Sequence, residues 1–187
     1  MVIPTPDQCL SIMKKNSMPP HIQKHSLIVA NIARIVGGEL NDRGIPLDLD
    51  LLVAGGMLHD IAKAHCLKTG QNHATVGGEM VREMGYPILA EIVENHIKIH
   101  PADLEFPFSE SLLVNYADKR VKHDQVVTLE ERFWDLADRY GHTLERKSRL
   151  QENLDLYLRL ENRIFEDLNI QPPDLFPLAA DVNLNLR

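Results

Sequence analysis

The sequence predicts an all-α fold, and three observations support this. Apolar residues recur at spacings of three and four along most of the chain, whereas the period-two alternation of strands is scarce. Clusters of proline, glycine and asparagine separate the periodic segments. The chain has 187 residues, of which 44% are hydrophobic and 25% charged, values ordinary for a globular protein. We therefore predict a single helical domain over residues 1–187.

The first predicted helices each follow a recognisable start signal, a proline in an early position or an acidic N-cap. They comprise Thr5–Lys15, a helix through His25 toward Leu40, and a helix capped by Asp48 or Asp50 that ends near His59 and Asp60. The following segment, Lys63–Asn72, is polar and is predicted to be a loop.

The second half of the chain continues the helical pattern. The predicted elements are a helix from Asn72 through Met84, a helix over Ile88–Ile97, a proline-containing loop over Lys98–Phe108, a helix that begins at Ser109 and carries Asp118, and a helix from a capping box at Thr128–Glu131 to Tyr140. A stripe of apolar residues at spacings of mostly three and four then predicts a long helix over Leu144–Leu168. That helix packs on the body of the protein or on a second subunit, so a homodimer is an open alternative. The tail from Gln171 contains three prolines and gives no readable pattern.

Charge and composition exclude several classes of protein. The net charge of −7 and the isoelectric point of about 5.7 argue against a nucleic-acid-binding protein with a general basic surface. The two cysteines, Cys9 and Cys66, form no Cys-x-x-Cys pair and indicate neither a zinc finger nor redox chemistry. No apolar run approaches the roughly 18 residues of a membrane span and no signal peptide is recognisable, so we predict a cytoplasmic protein with no membrane partner.

The pair His59-Asp60 is the most informative feature of the sequence. An imidazole and a carboxylate directly follow an apolar, small-residue segment that is typical of a buried helix. Burying an unpaired polar group costs roughly 2–7 kcal/mol, and a charge costs more. A divalent metal would bind both side chains, whereas a helix end that meets water would leave them solvated.

Two further ligand-type residues stand among apolar neighbours at helical spacing. His25 shares a helical face with Val29 and Ile32, and Asp118 shares one with Val114. Three core-facing helices therefore offer a His, a His-Asp pair and an Asp.

With its order H…HD…D, this set resembles the HD superfamily of metal-dependent phosphohydrolases. The local sequence from His59 to Lys63 is close to that family's frequent HDIGK form, with Ala62 where glycine is commoner. The resemblance covers about residues 20–125, the HD core, and leaves a C-terminal helical extension at about 126–170. It implies an HD-domain helical bundle in which His25, His59, Asp60 and Asp118 bind a divalent metal cation. Mixed nitrogen and oxygen ligands accept Mn, Fe, Co, Ni, Mg or Zn, so the metal's identity stays open.

Three further residues are candidates for substrate contact and catalysis beside Asp60. Lys63 matches the family's HD-x-x-K pattern, which implies a phosphate contact; the alternative is a solvated lysine at a helix end. His73 and His96 occupy the order in which related proteins place additional histidines for a substrate phosphate or a second metal. Because Ile97 stands where two-metal members carry a second histidine, we expect phosphate contact first and a second metal site second.

Lys119 and Arg120 directly follow Asp118 and are equally compatible with contacts to a substrate or a neighbouring carboxylate and with an exposed helix surface.

The resemblance implies hydrolysis of a phosphate ester or anhydride in a small phosphorylated substrate, most readily a nucleotide. Diadenosine tetraphosphate hydrolases and nucleoside monophosphatases of the superfamily are the two nearest models. The alternatives are a regulatory module that binds a nucleotide or metal without turnover and a di-iron oxygenase of the HD type. The sequence does not choose the nucleotide, because pocket shape rather than the ligand set selects it.

Overall fold

A computed structural model of the protein describes residues 2–105 and 107–180, and in this part of the chain the architecture is helical. The helices are α1 (Pro6–Lys15), α2 (Pro20–Asp42), α3 (Leu49–Leu58), α4 (Lys63–Thr69), α5 (His73–Glu83), α6 (Pro87–Asn95), α7 (Glu110–Lys119), α8 (Leu129–Tyr140), α9 (Leu144–Phe165) and α10 (Leu175–Ala180). A short antiparallel hairpin of β1 (Val121–Lys122) and β2 (Gln125–Val126) joins α7 to α8. The all-α prediction is confirmed.

Helix α2 is the central element of the bundle. It packs against α3 and α7 and is also covered by α10. Residues such as Val29, Ile32 and Ala33 are fully buried in the core that these helices share. Burial on this scale is the main favourable term that holds the helices together, since each large apolar side chain contributes about 1.5–3 kcal/mol.

The crossing of α2 and α3 is unusually close because of a glycine. A Cβ atom on Gly56 would lie 2.5 Å from the Cα of Ala30, a separation that no real side chain tolerates. The absence of a side chain therefore sets the distance between the two helices, and with it the distance between His25 on α2 and His59 at the end of α3.

Helices α8 and α9 pack against each other, and both contact α7. The predicted capping box at the start of α8 is present, with Thr128 and Glu131 exchanging hydrogen bonds. α9 touches α7 and buries Leu154, Tyr157 and Leu160. The stripe predicted over the long helix thus faces the body of the protein.

Two segments differ from the prediction. Lys63–Asn72 is not simply a loop, because Lys63–Thr69 forms α4, which buries Cys66, contacts α5 and ends at Gly70 with a φ of 73°. One buried residue in a seven-residue helix leaves no periodic signal, which is why the segment appeared polar throughout. In the predicted loop before α7, Pro101–Leu104 forms a 3-10 turn.

The tail from Gln171, for which the sequence pattern predicts no structure, contains a 3-10 turn over Pro172–Asp174 and the short helix α10. No helix within residues 2–105 and 107–180 has the length and apolar character needed to cross a membrane.

Candidate metal centre

The four residues predicted to bind metal lie together at the junction of α2, α3 and α7. His25 projects from α2, His59 caps the C-terminus of α3, Asp60 follows in the next turn, and Asp118 stands near the end of α7. All four side chains are buried. The close packing of α2 against α3 and α7 brings together residues that are far apart in sequence.

Backbone carbonyl groups fix the orientation of three histidine rings. The Nδ1 atoms contact carbonyl oxygens as follows: His25 to His123 at 3.0 Å, His59 to Gly56 at 2.8 Å and His96 to Val93 at 2.6 Å. Because a carbonyl only accepts, each Nδ1 carries the proton and each neutral ring presents the lone pair of Nε2. This is the arrangement in which protein histidines bind metals.

The β1–β2 hairpin contributes to this arrangement. Its turn places His123 at a φ of 55°, in the left-handed region, and the carbonyl of that residue accepts from His25. The short hairpin therefore helps to orient the imidazole ring of His25.

The side chains of His25, His59 and Asp118 form one group of candidate metal ligands. His25 Nε2 lies 3.0 Å from Asp118 Oδ1, and His59 Nε2 lies 3.6 Å from the same oxygen. Ligands bonded to one ion at about 2.0–2.2 Å are separated by about 3.0–3.5 Å at right or tetrahedral angles. The spacing thus matches a single shared ion, and all three ligand atoms lie within 4.8 Å of one another.

Asp60 stands between this set and a second one. Its Oδ2 lies 3.4 Å from His59 Nε2 and 4.0 Å from His25 Nε2, on the side of the first set. Its Oδ1 faces the other way, 3.3 Å from His73 Nε2 and 3.6 Å from His96 Nε2. Asp60, His73 and His96 form a second group whose ligand atoms lie within 4.8 Å. One carboxylate therefore faces two histidine pairs.

Unsatisfied atoms show that a cation fits the site. His59 Nε2 and Asp60 Oδ1 are buried and have no hydrogen-bond partner among the residues described. An unpaired buried polar atom costs about 1–3 kcal/mol. A divalent cation would supply the missing partner of both atoms, since imidazole nitrogen and carboxylate oxygen are standard ligands.

The electrostatics of the cluster keep its carboxylates ionised. Burial acts to raise the pKa of Asp60, but His59 and Lys63 outweigh it and hold that pKa well below its usual range. Burial opposes ionisation of Asp118 in the same way, and Lys119 with His25 prevails and lowers its pKa. Burial also acts to lower the pKa of His59, yet the two carboxylates raise it to about 9. A concentration of negative charge that draws protons to His59 will also attract a cation.

The two lysines beside the cluster each neutralise one carboxylate. Lys63 Nζ lies 2.6 Å from Asp60 Oδ2, on the first turn of α4 rather than on a continuation of α3. Lys119 Nζ lies 2.5 Å from Asp118 Oδ2 and also donates to the carbonyl of His96. Arg120, in contrast, points away and pairs with Glu161 at 2.6 Å. Of the roles that the sequence left open for Lys119 and Arg120, contact with a carboxylate is the one observed, and both side chains are buried.

A cleft of about 450 Å³ opens beside the cluster. Its lining includes His73, His96 and Asp118 of the cluster together with a wall of residues from α8 and α9. The described lining carries several cations despite the acidic character of the whole chain; these are Lys63, Lys98, Lys119, Arg132 and Arg139. Its volume falls within the range of about 300–1,000 Å³ typical of small-molecule sites.

Arg132 is the most deeply buried of the charged cleft residues that the sequence patterns did not point to. It is buried, although arginine is almost never buried without a partner. A signal was available, because Leu129, Arg132, Phe133 and Leu136 stand at positions i, i+3, i+4 and i+7 of α8. A cation on the apolar face of a predicted helix is a reason to look for an anion that it binds.

Comparisons with known proteins agree with this geometry. The model of the HD domain family matches residues 22–141, from the start of α2 to just beyond α8. An uncharacterized protein of Methanocaldococcus jannaschii, MJ0778, is 32% identical over 123 residues, which cover 63% of this chain and 71% of that protein. No solved structure gives a significant match.

Ribonuclease Y proteins are also similar over this region. The protein from Fusobacterium nucleatum is 32% identical over 104 residues and that from Clostridium novyi is 33% identical over the same length. The aligned part covers 56% of this chain but 19% of each ribonuclease. The chain thus corresponds to a small part of those relatives.

Proposed function

We propose that this chain, which belongs to the HD-domain family, is a metal-dependent phosphohydrolase that cleaves a phosphate ester or anhydride of a small nucleotide. The family is one of metal-dependent phosphohydrolases. The observation that carries the proposal is the convergence of buried histidine Nε2 atoms and ionised carboxylates beside a cleft lined with cations.

His25, His59, Asp60 and Asp118 would hold a divalent cation, which fits their ligand types and spacing. Such a cation acts as a Lewis acid on a phosphoryl oxygen and makes water a better nucleophile at neutral pH. The identity of the metal stays open among Mn, Fe, Co, Ni, Mg and Zn, because mixed nitrogen and oxygen sites accept all of them.

The geometry of Asp60, His73 and His96 favours a second cation over direct contact of the two histidines with phosphate. This reverses the order of preference inferred from the sequence. His73 and His96 share Asp60 Oδ1 as a close neighbour, and the Nε2 of His96 is held free of its ring proton. Three protein ligands are the number found at catalytic sites that keep a position open for water or substrate. The isoleucine at position 97 therefore does not exclude such a site.

The chain's own residues perform the remaining tasks. Lys63 and Lys119 place positive charge on the cleft side of the carboxylates, where a substrate phosphate carries negative charge. Charge placed in advance at a reacting group stabilises the transition state without reorganisation. The imidazole of His73 is 26% exposed and reaches the cleft; if no second cation is bound, its ring is free to contact a phosphoryl oxygen or exchange a proton with the leaving group instead.

Hydrolysis measured on a substrate panel tests the proposal. The purified chain is stripped with a chelator and then supplied singly with each divalent metal, and release of phosphate or nucleotide is followed for diadenosine tetraphosphate and nucleoside monophosphates. We expect turnover that depends on the added metal. Binding of a nucleotide without turnover under every metal would instead establish the regulatory alternative, and oxidation of substrate with consumption of oxygen by an iron-loaded sample would establish the oxygenase alternative.

RNA is a second candidate substrate, favoured by the similarity to proteins named Ribonuclease Y. The net charge of −7 argues against it, since RNA binding depends on positive surface. A short single-stranded RNA in the same panel separates the two, and we expect it to be cleaved far more slowly than the mononucleotide substrates.

A further inference from the structure

Arg132 has hydrogen-bond donors that the protein leaves unused. Its side chain is 10% exposed, and its buried Nε has no partner among the described residues. The carboxylate nearest to it, Asp135, lies 3.4 Å from Nη1, a long contact. A guanidinium offers five N–H donors in a planar fork. The contact with Asp135 uses one of these donors and leaves Nε without a partner among the described residues.

Arg120 shows what a structural arginine looks like in the same protein. It is more deeply buried, with a side chain 1% exposed, but its Nε donates to the carbonyl of Val127 at 2.8 Å and its Nη1 donates to Glu161 and to the hydroxyl of Tyr116. The two arginines come from neighbouring segments and differ chiefly in their partners. The contrast indicates that Arg132 is held in place for a partner that comes from outside the chain.

That partner is an anion with several oxygens. Arg132 lines the same cleft as Lys63 and Lys119, which adjoin the metal centre. Lys63 and Lys119 already pair with carboxylates of the metal centre. Arg132, in contrast, shares Asp135 with Arg139, so that positive charge is left over beside the cleft. A phosphate group matches the arginine fork through two parallel hydrogen bonds.

The wall of the cleft around Arg132 is apolar and aromatic. The described lining from α8 and α9 includes Phe133, Leu136, Tyr140, Leu150 and Tyr157. A flat apolar group fits such a wall, because aromatic side chains favour stacked or edge-on contact with planar rings. Tyr140 is 56% exposed and lines the cleft, so its ring is accessible to such a group.

We propose that Arg132 binds a phosphate group of the substrate while the wall formed by α8 and α9 packs against its nucleobase. This inference rests on the proposed function and names the substrate class as a single nucleoside phosphate. It also gives α9, which lies beyond the residues matched to the HD family, a part in substrate recognition.

Binding of three small probes to the full chain tests this inference. Isothermal titration calorimetry is performed in chelator, so that no turnover occurs, with AMP, ribose 5-phosphate and adenosine. We expect the wild type to bind AMP more tightly than either fragment. Loss of a charge-assisted hydrogen bond weakens binding by about 10–100-fold, so Arg132→Gln should weaken AMP and ribose 5-phosphate by that factor and leave adenosine unchanged.

Tyr140→Ala supplies the opposite pattern. It should weaken AMP and adenosine by about 10-fold, the scale of one base–aromatic contact, and leave ribose 5-phosphate unchanged. Arg149→Gln is the matched control, because Arg149 pairs with Glu145 on an exposed face of α9 and its side chain is 71% exposed. Binding of all three probes by this variant should equal that of the wild type.

Three results would overturn the inference: wild type that binds none of the probes, Arg132→Gln that binds AMP as wild type does, and Arg132→Gln that loses adenosine as strongly as AMP. Circular dichroism checks that each variant is folded. Arg132→Lys keeps the charge and most of the side chain, and it replaces Arg132→Gln if that variant fails to fold. Unchanged AMP binding by Arg132→Lys would contradict a bidentate contact, whereas weaker AMP binding would support it.

Failure of the inference and failure of the proposed function give different results. A wild type that binds AMP in the predicted pattern but hydrolyses no substrate with any metal refutes the hydrolase and keeps the binding site. Metal-dependent hydrolysis with an unchanged KM in Arg132→Gln refutes the role of Arg132 and keeps the hydrolase. A raised KM in that variant agrees with both.

Discussion

His25 Nε2 and Asp118 Oδ1 lie 3.0 Å apart in the folded chain, although 93 positions separate the two residues in the sequence. One residue stands on α2 and the other on α7, and both helices pack against α3, which ends in His59 and Asp60. Because Nδ1 of His25 donates to the carbonyl of His123, Nε2 of the neutral ring has no proton to give to Asp118, and the two facing lone pairs need a cation between them. This contact is therefore the structural basis for assigning the cluster a metal.

We predict that His73→Ala and His96→Ala each remove one cation per chain while the cation at His25, His59 and Asp118 remains. The reason is that Asp60 Oδ1 and these two histidines form a separate group of ligands. Turnover should fall by about 10²–10³-fold, the typical loss for one group that stabilises developing charge. Elemental analysis and steady-state kinetics on the same samples check both statements.

A matched control for these variants is His142→Ala, whose exposed side chain lies outside both groups of ligands. Its metal content and turnover should equal those of the wild type. If the His73 and His96 variants keep the metal content of the wild type but turn over more slowly, the two residues contact phosphate and do not bind a second cation.

We predict that Gly56→Ala destabilises the protein, because its new Cβ would meet the backbone of Ala30 at 2.5 Å. Overpacking of this kind typically costs about 1–3 kcal/mol, and separation of α2 from α3 should also weaken metal binding. Gly38→Ala is the control on the same helix as Ala30, since nothing lies within 4 Å of its added Cβ. That change should raise stability by about 0.5–1 kcal/mol through helix propensity. Chemical denaturation of the two variants measures the difference, and equal stabilities would contradict the close crossing.

We predict that Arg120→Ala lowers stability by about 3–5 kcal/mol, since it leaves Glu161 without its buried partner. In a chain of this size each kcal/mol lowers the melting temperature by about 2–4 °C. Arg149→Ala, which breaks an exposed pair with Glu145, should change stability by about 0–1 kcal/mol. Thermal melts compare the two, and a loss from Arg120→Ala no larger than that of the control would show that the link between α7 and α9 contributes little.

Much of the fold follows from local sequence signals. The starts of α1, α3, α5, α7 and α8 stand at caps visible in the sequence, such as Asp48 and Ser109. The prediction of a loop in the α4 segment was wrong because one buried residue, Cys66, gives no periodic pattern. The convergence of ligand-type residues was anticipated from their places on apolar helical faces, and Asp60 follows α3 at the expected point.

Other parts of the site depend on tertiary packing, which local patterns do not report. The carbonyl of His123 that orients His25 comes from a hairpin distant in sequence. The two-sided position of Asp60 depends on the angle at which its turn leaves α3, and the burial of Arg132 depends on how α8 packs over the cleft. No spacing rule contains these angles, so the cleft and its arginine appear only in the folded chain.

The metal content of the wild type and of Asp60→Ala tests the central claim most directly. Both proteins are purified and loaded with a single divalent metal, and the bound metal is measured by inductively coupled plasma mass spectrometry. Asp155→Ala, which removes an exposed carboxylate on α9, is the control. We predict bound metal and metal-dependent turnover in the wild type and the control. We predict that Asp60→Ala keeps its helical circular dichroism but loses the metal, the turnover and the thermal stabilisation that the metal gives. Full metal content with normal turnover in Asp60→Ala would contradict the account.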